Sequence, residues 1–229
     1  MSEPLRIISS MATRQLLADL VAQFERSSIQ RVRVESVGGV DAAKRVQMGE
    51  AFDAVVLAAN AIDQLIAAAR LVPGSCVDLV KSGVAIAVRS GAPRPDIGNE
   101  QAVKRAVLGA RSLGYSTGPS GVQLAKLFER WGIAEQIEDR IVQASPGVPV
   151  GNLVATGEVE LGFQQLSELM NLPGIDVLGP LPPEIQIVTT FSAGLSVTST
   201  RPDAVRALLD FMASPAAAPT KRSNGMEPG

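Results

Sequence analysis

Three times within the first 69 residues a short apolar run, a loop of small residues and an amphipathic stretch succeed one another. That alternation restricts the chain to a parallel sheet wrapped by helices. Residues 5–9 read as a strand, and Ser9-Ser10-Met11-Ala12-Thr13 is the loop that opens a helix over 15–27, striped by Leu16, Leu17, Leu20, Val21 and Phe24. Residues 31–37 alternate as a strand does, Gly38-Gly39 turns the chain into a helix over 41–48, and 52–58 is apolar throughout, as a strand covered on both faces is. A further apolar helix over 62–69 ends before Pro73-Gly74. Ligands bind such sheets at the carboxyl ends of the strands, so 9–13 and 38–40 fall on one rim.

The apolar strand 83–89 leads into a Pro-rich loop, 90–96, and marks the passage into a second lobe. A helix over 100–107 precedes the most informative loop, where a strand over 110–115 runs into Ser116-Thr117-Gly118-Pro119-Ser120-Gly121 and a helix carrying Leu124, Leu127, Phe128 and Trp131 on one face. Hydroxyls on Ser116, Thr117 and Ser120 beside unpaired N–H groups form either an anion cradle or an ordinary capped helix start. Strand 137–142 and loop 145–149 repeat the theme before a helix over 150–156. A turn and strand over 157–163 exit through Gln164-Gln165, one expected to face a ligand and the other the surface. Strand 175–178 and the long apolar region 185–199 return the chain to the first lobe, which a helix over 202–212 completes. The expected division is 1–82 with 192–229 as lobe 1 and 83–191 as lobe 2, hinged near 82–89 and 189–198.

At 229 residues, 46% of them hydrophobic and 19% charged, the chain can bury a large core. A net charge of −2 with no dense basic run argues against nucleic acid as a partner. No stretch approaches the roughly 18 apolar residues that insertion into a bilayer needs. Cys76 stands alone and histidine is absent, which removes disulfides, the usual zinc ligands and every histidine-based nucleophile system. No cofactor and no metal are expected.

The segments Leu-Arg-Ile-Ile-Ser-Ser, Ser-Val-Gly-Gly-Val-Asp-Ala-Ala-Lys-Arg-Val, Phe-Asp-Ala-Val-Val-Leu and Pro-Ser-Gly, with the ending Met-Ala-Ser-Pro-Ala-Ala-Ala-Pro to Gly-Met-Glu-Pro, resemble the type II periplasmic-binding proteins, in particular their molybdate-binding branch. The resemblance implies an α/β fold of two lobes, each a mixed sheet flanked by helices, joined by two crossing strands, with an oxyanion held in the interlobe cleft. Carried over residue by residue, the first ligand serine falls in 9–12, at Ser10, with Ser9 and Met11 beside it. The second loop falls on Gly38-Gly39-Val40, which keeps no hydroxyl; the third contact falls on Ser120, flanked by Thr117 and Gly121; a fourth lies near Gly147 and Val148. The family's tyrosine position falls on Gln165. An amide donates and accepts, which suits carboxyl groups better than a bare tetrahedral oxyanion.

The Ser-Met-Ala-Thr and Gly-Gly-Val-Asp-Ala-Ala-Lys-Arg segments are also similar to a subgroup that includes an aconitate isomerase. Two functions follow as expectations. One is capture of a small anion, a di- or tricarboxylate or an oxyanion such as molybdate, by hinge closure and delivery to a membrane transporter. The other is an aconitate-type isomerisation by proton transfer in the same cleft, for which Lys44, Tyr115 or Ser10 acting through water are the candidate groups. Lys44 and Arg45, in the first turns after the glycine pair, either meet a carboxylate or are solvated. The N-terminus shows no basic segment followed by an apolar run and a cleavage site, so the expected address is cytoplasmic if that terminus is native and periplasmic if an export signal has been removed.

Overall fold

In the computed structural model, residues 3–145 and 147–229 are described. Met1 and Ser2, on which the reading of the N-terminus falls, and Pro146 of the 145–149 loop lie outside them. The chain runs β1 (Leu5–Ser10), a 3₁₀ turn Met11–Thr13, α1 (Arg14–Ser27), β2 (Val32–Val37), α2 (Gly39–Gln47), β3 (Ala54–Ala58), α3 (Ala59–Ala67) and β4 (Val77–Arg89). It continues through α4 (Glu100–Gly109), β5 (Leu113–Ser116), α5 (Pro119–Arg130), α6 (Ala134–Ile137), β6 (Ile141–Ala144), α7 (Val150–Thr156), β7 (Leu161–Gln165) and α8 (Leu166–Leu169). The last elements are β8 (Ile175–Pro180), β9 (Val188–Leu195), α9 (Pro202–Ala213), α10 (Ala218–Ser223) and β10 (Glu227–Pro228). The chain divides into two compact units, Met1–Ser82 with Thr190–Gly229, and Gly83–Thr189.

In the first unit β2, β1 and β3 are parallel neighbours, β9 runs antiparallel to β3, and β10 pairs with the first half of β4. Strand alternation sorts the side chains onto two faces. Leu5 and Ile7 pack with Leu16, Leu17 and Leu20 of α1 and with Val205, Leu208, Leu209 and Met212 of α9. Ile8, Val55 and Leu57 face the other way, onto Ala42, Val46, Ile62 and Leu65. Parallel pairing is what brings the exits of β1 and β2 together, with Ser9 opposite Ser36 and Ser10 opposite Val37.

In the second unit β6, β5 and β7 are parallel, and the second half of β4 runs antiparallel to β7 and to β8. Leu124, Leu127 and Phe128 of α5 are buried against Tyr115 and Phe163 on one face. On the other face α7 lies close to the sheet because the strands carry glycine there. A Cβ on Gly162 would stand 2.4 Å from a Val154 methyl.

Several expected elements differ. Residues 137–142 are not one strand: 134–140 wind as α6 and a 3₁₀ turn, and only Ile141–Ala144 extends. Ile133 and Ile137 lie four residues apart, so a helical turn buries both and leaves Glu135 and Glu138 outside. Arg140 ties the turn down through the carbonyls of Leu108 and Ala110. The 185–199 region is a strand only over β9, and β4 begins at Val77, before the expected 83. The segment beyond α9 adds α10 and β10, which dock on the first unit through Asn224 to Asp19 and Gln23 to Thr220.

Candidate functional site

β1 delivers Ser9 and Ser10 to the exit rim of the first unit, and their hydroxyls are used differently. Ser9 Oγ lies 2.8 Å from Ser36 Oγ and is fully buried. Ser10 Oγ is buried and makes no hydrogen bond, and its side chain does not cap the turn that Met11 opens. Burying a hydroxyl without a partner costs free energy that a bound acceptor or donor would offset.

Gly38 and Gly39 need no left-handed backbone: Gly38 caps α2 at φ −54, and neither is among the glycines with positive φ. The helix starts at Gly39, two residues before the expected 41. Lys44 and Arg45 therefore stand in its last turn and not in its first. Lys44 is exposed. Arg45 is committed to Glu35 and Glu50 and stacks over Phe52. The guanidinium holds both carboxyls below the ordinary carboxylate range, so it is spent on structure.

The second unit presents its rim at the ends of β5, β6 and β7. Tyr115 is buried and packs edge-on against Phe128, and burial pushes its phenol up, which removes it as an acid–base group near neutrality. Thr117 is partly exposed, Gly118 caps α5, and Pro119 occupies the first turn. Ser120 is buried at the helix start. Gly121 has a structural reason: a Cβ there would sit 1.8 Å from the Ser116 carbonyl oxygen, so only glycine lets α5 begin this close to the exit of β5. Gly147 takes φ +80 and Val148 is exposed, but the Val148 N–H already donates to Ser145 O at 3.0 Å. The turn thus consumes a backbone donor of the loop near which the fourth contact was expected.

The glutamine pair departs from expectation, because both side chains are buried at 3% exposure and neither faces the surface. Gln165 Nε2 donates to Thr189 Oγ1 at 2.9 Å, and its Oε1 is buried without a partner. Gln164 Oε1 accepts the Val150 N–H, and its Nε2 donates to Glu168 Oε1, both at 2.8 Å. Burial pushes the Glu168 carboxyl up to about 7, with the Gln164 bond opposing the shift.

Two groups escaped the sequence reading. Ser82 Oγ is fully buried and unpartnered in β4, two residues ahead of Val84, the register partner of Gln165. Glu168 was detectable in principle from its spacing of four after a glutamine that ends an apolar strand. Among the described residues no group of three or more His, Cys, Asp or Glu side chains is placed to hold a metal.

A family model described as bacterial extracellular solute-binding protein matches residues 5–227. The chain belongs to that family. An aconitate isomerase of Pseudomonas sp is 36% identical over 230 residues, covering 98% of this chain and 87% of that relative. The periplasmic molybdate-binding protein of Azotobacter vinelandii superposes with a TM-score of 0.80 at 18% identity, covering 97% of this chain and 98% of its own. The sulfate-binding protein SubI of Mycobacterium tuberculosis superposes at 0.79 and 14% identity, covering 99% and 87%. At those identities the two structures establish the fold, the two-lobed type II periplasmic-binding-protein-like α/β fold. Among the described residues no helix of this family member is long and apolar enough to cross a membrane.

Proposed function

We propose that this solute-binding protein takes a small di- or tricarboxylate, bound by unpartnered polar groups at strand exits. The observation that carries the reading is a set of buried polar atoms left without partners at strand exits: Ser10 Oγ in the first unit and Gln165 Oε1 in the second. Ser120, Thr117 and the N–H groups at the start of α5 are the further donors, with Gly38, Gly39 and Gly147 letting a ligand approach backbone. Ser10 and the amide of Gln165 present both donor and acceptor functions, which match a carboxylic acid and its conjugate base. An exported form would deliver its ligand to a membrane transporter.

A thermal-shift series with molybdate, tungstate, sulfate, citrate and the two aconitate isomers tests the ligand class, since a ligand selective for the native state raises Tm. Stabilisation by the tricarboxylates is expected. Stabilisation by molybdate or tungstate alone would refute the carboxylate assignment.

A second reading is favoured by the aconitate isomerase relative, which spans nearly the whole chain. In it the bound tricarboxylate undergoes an allylic proton shift. Interconversion of cis- and trans-aconitate, followed by proton NMR, separates the two readings, because a receptor binds both isomers unchanged.

A further inference from the structure

We infer that Glu168 is the group that removes and returns the proton if the bound ligand is isomerised, with Gln164 as the residue that positions it. This rests on the isomerase reading above. The histidine-free chain offers few alternatives. Tyr115 is locked in the core, and Lys44 stands exposed in the last turn of α2.

The geometry specifies which oxygen is free. The Val150 N–H can only donate, so the Gln164 amide must turn its oxygen to it and its NH₂ to Glu168. Glu168 Oε1 is then an acceptor in either protonation state, and a proton on this carboxyl resides on Oε2. Among the described residues Oε2 makes no hydrogen bond, so its proton is available to a ligand. The carboxyl is three residues beyond Gln165 and is tethered next to Val150, where the Gly147–Val148 loop enters α7, so it stands on the proposed ligand rim of the second unit.

No opposing charge holds Glu168 ionised. Of the elements packed on α8, β7 carries no charged residue, and β8 carries only Asp176, which is engaged with Ser90, Gly91 and Arg94. β4, whose Ala85 and Ala87 meet Leu169, carries Asp78, Lys81 and Arg89, none of which shifts the Glu168 carboxyl. Neither α7 nor loop 145–149 contains a titratable side chain. Burial places the carboxyl at about 7, so that base and acid forms are both populated near neutrality.

The step balances without a second reactant. Glu168 as carboxylate takes a proton from the methylene carbon of aconitate, and the released electron pair forms the new double bond to the central carbon. The pair of the former double bond takes the proton back from the Glu168 carboxylic acid at the far carbon. One C–H bond breaks, one forms, and the carboxylate is restored.

The test uses wild-type protein, Glu168→Gln and Glu168→Asp in D₂O with each aconitate isomer. NMR follows interconversion and deuterium entry, and calorimetry gives Kd. Glu168→Gln keeps the acceptor for Gln164, so binding is expected within about threefold of wild type while turnover falls about 100-fold or more. Glu168→Asp should recover part of the rate, and the wild-type rate should rise with pH through about 7. Full turnover in Glu168→Gln would overturn the assignment and leave the isomerase reading intact. A loss of binding that accounts for the loss of turnover would make Glu168 a binding residue only and would also overturn it. Should Glu168→Gln not fold, a wild-type rate independent of pH across that range is the overturning result. Wild-type protein that binds both isomers and converts neither would refute the isomerase reading, and this assignment with it.

Discussion

Ser9 Oγ and Ser36 Oγ face each other at 2.8 Å where the parallel strands β1 and β2 end, whereas Ser10 Oγ, one residue further, is buried with no partner at all. Adjacent serines therefore have opposite energetic roles. Ser9→Ala removes a satisfied buried hydrogen bond and should cost about 1 kcal/mol in urea unfolding. Ser10→Ala removes an unsatisfied hydroxyl and should leave stability within about 0.5 kcal/mol of wild type while weakening tricarboxylate binding about tenfold. Equal losses of stability in the two variants would contradict the contrast.

Gly121→Ala places a methyl carbon 1.8 Å from the Ser116 carbonyl oxygen, and backbone cannot yield as a side-chain tip does. The second unit should lose about 3 kcal/mol or more, seen as a lower urea midpoint. Gly118→Ala is the control. Its Cβ would lie 3.5 Å from Ser116 Oγ at φ −75, an ordinary contact on ordinary backbone, so a shift of less than about 1 kcal/mol is expected.

The alternation of strands and helices was legible because period-two and period-3.6 apolar patterns report directly on burial, and Leu16, Leu17, Leu20, Val21 and Phe24 are all buried as their spacing requires. Hydrogen-bond bookkeeping was not legible. Ser9 and Ser10 are chemically identical in the sequence, and only the register that sets Ser36 beside Ser9 tells them apart. The same holds for Gln164 and Gln165: both entered the interior, against expectation, because the Val150 N–H and Thr189 Oγ1 supply partners that lie 14 and 24 residues away. The α6 turn was missed although Ile133, Ile137 and Ile141 recur at a spacing of four, because the run is short and Ile141 already opens β6.

Arg45→Met should lower Tm at neutral pH and shed part of the acid-limb pH dependence. Glu35 and Glu50 have their carboxyl values lowered by Arg45, so the stability that they contribute is present above about 4.5 and is lost as pH falls through the lowered values. The Tm difference between wild type and Arg45→Met should therefore be widest near neutrality and close in acid. A difference that stays constant down to pH 3 would show that Arg45 acts through its stacking on Phe52 and not through its charge.

Glu168 has the opposite sign. Its carboxyl is raised by burial from an ordinary 4.5 to about 7, so the native state binds the extra proton across that interval and the unfolded chain does not. Stability linked to this group is complete below about 4.5 and is lost as pH climbs through 7. For a partly exposed side chain, solvent screening brings the loss to roughly 2 kcal/mol. Glu168→Gln stays neutral at every pH and keeps an acceptor for Gln164, so the variant should match wild type near pH 4.5 and overtake it progressively up to pH 8. Urea midpoints at half-unit pH intervals read the crossover directly. Parallel curves for the two proteins would mean that Glu168 titrates in the folded chain as it does in the unfolded one, and that its environment does not hold the proton.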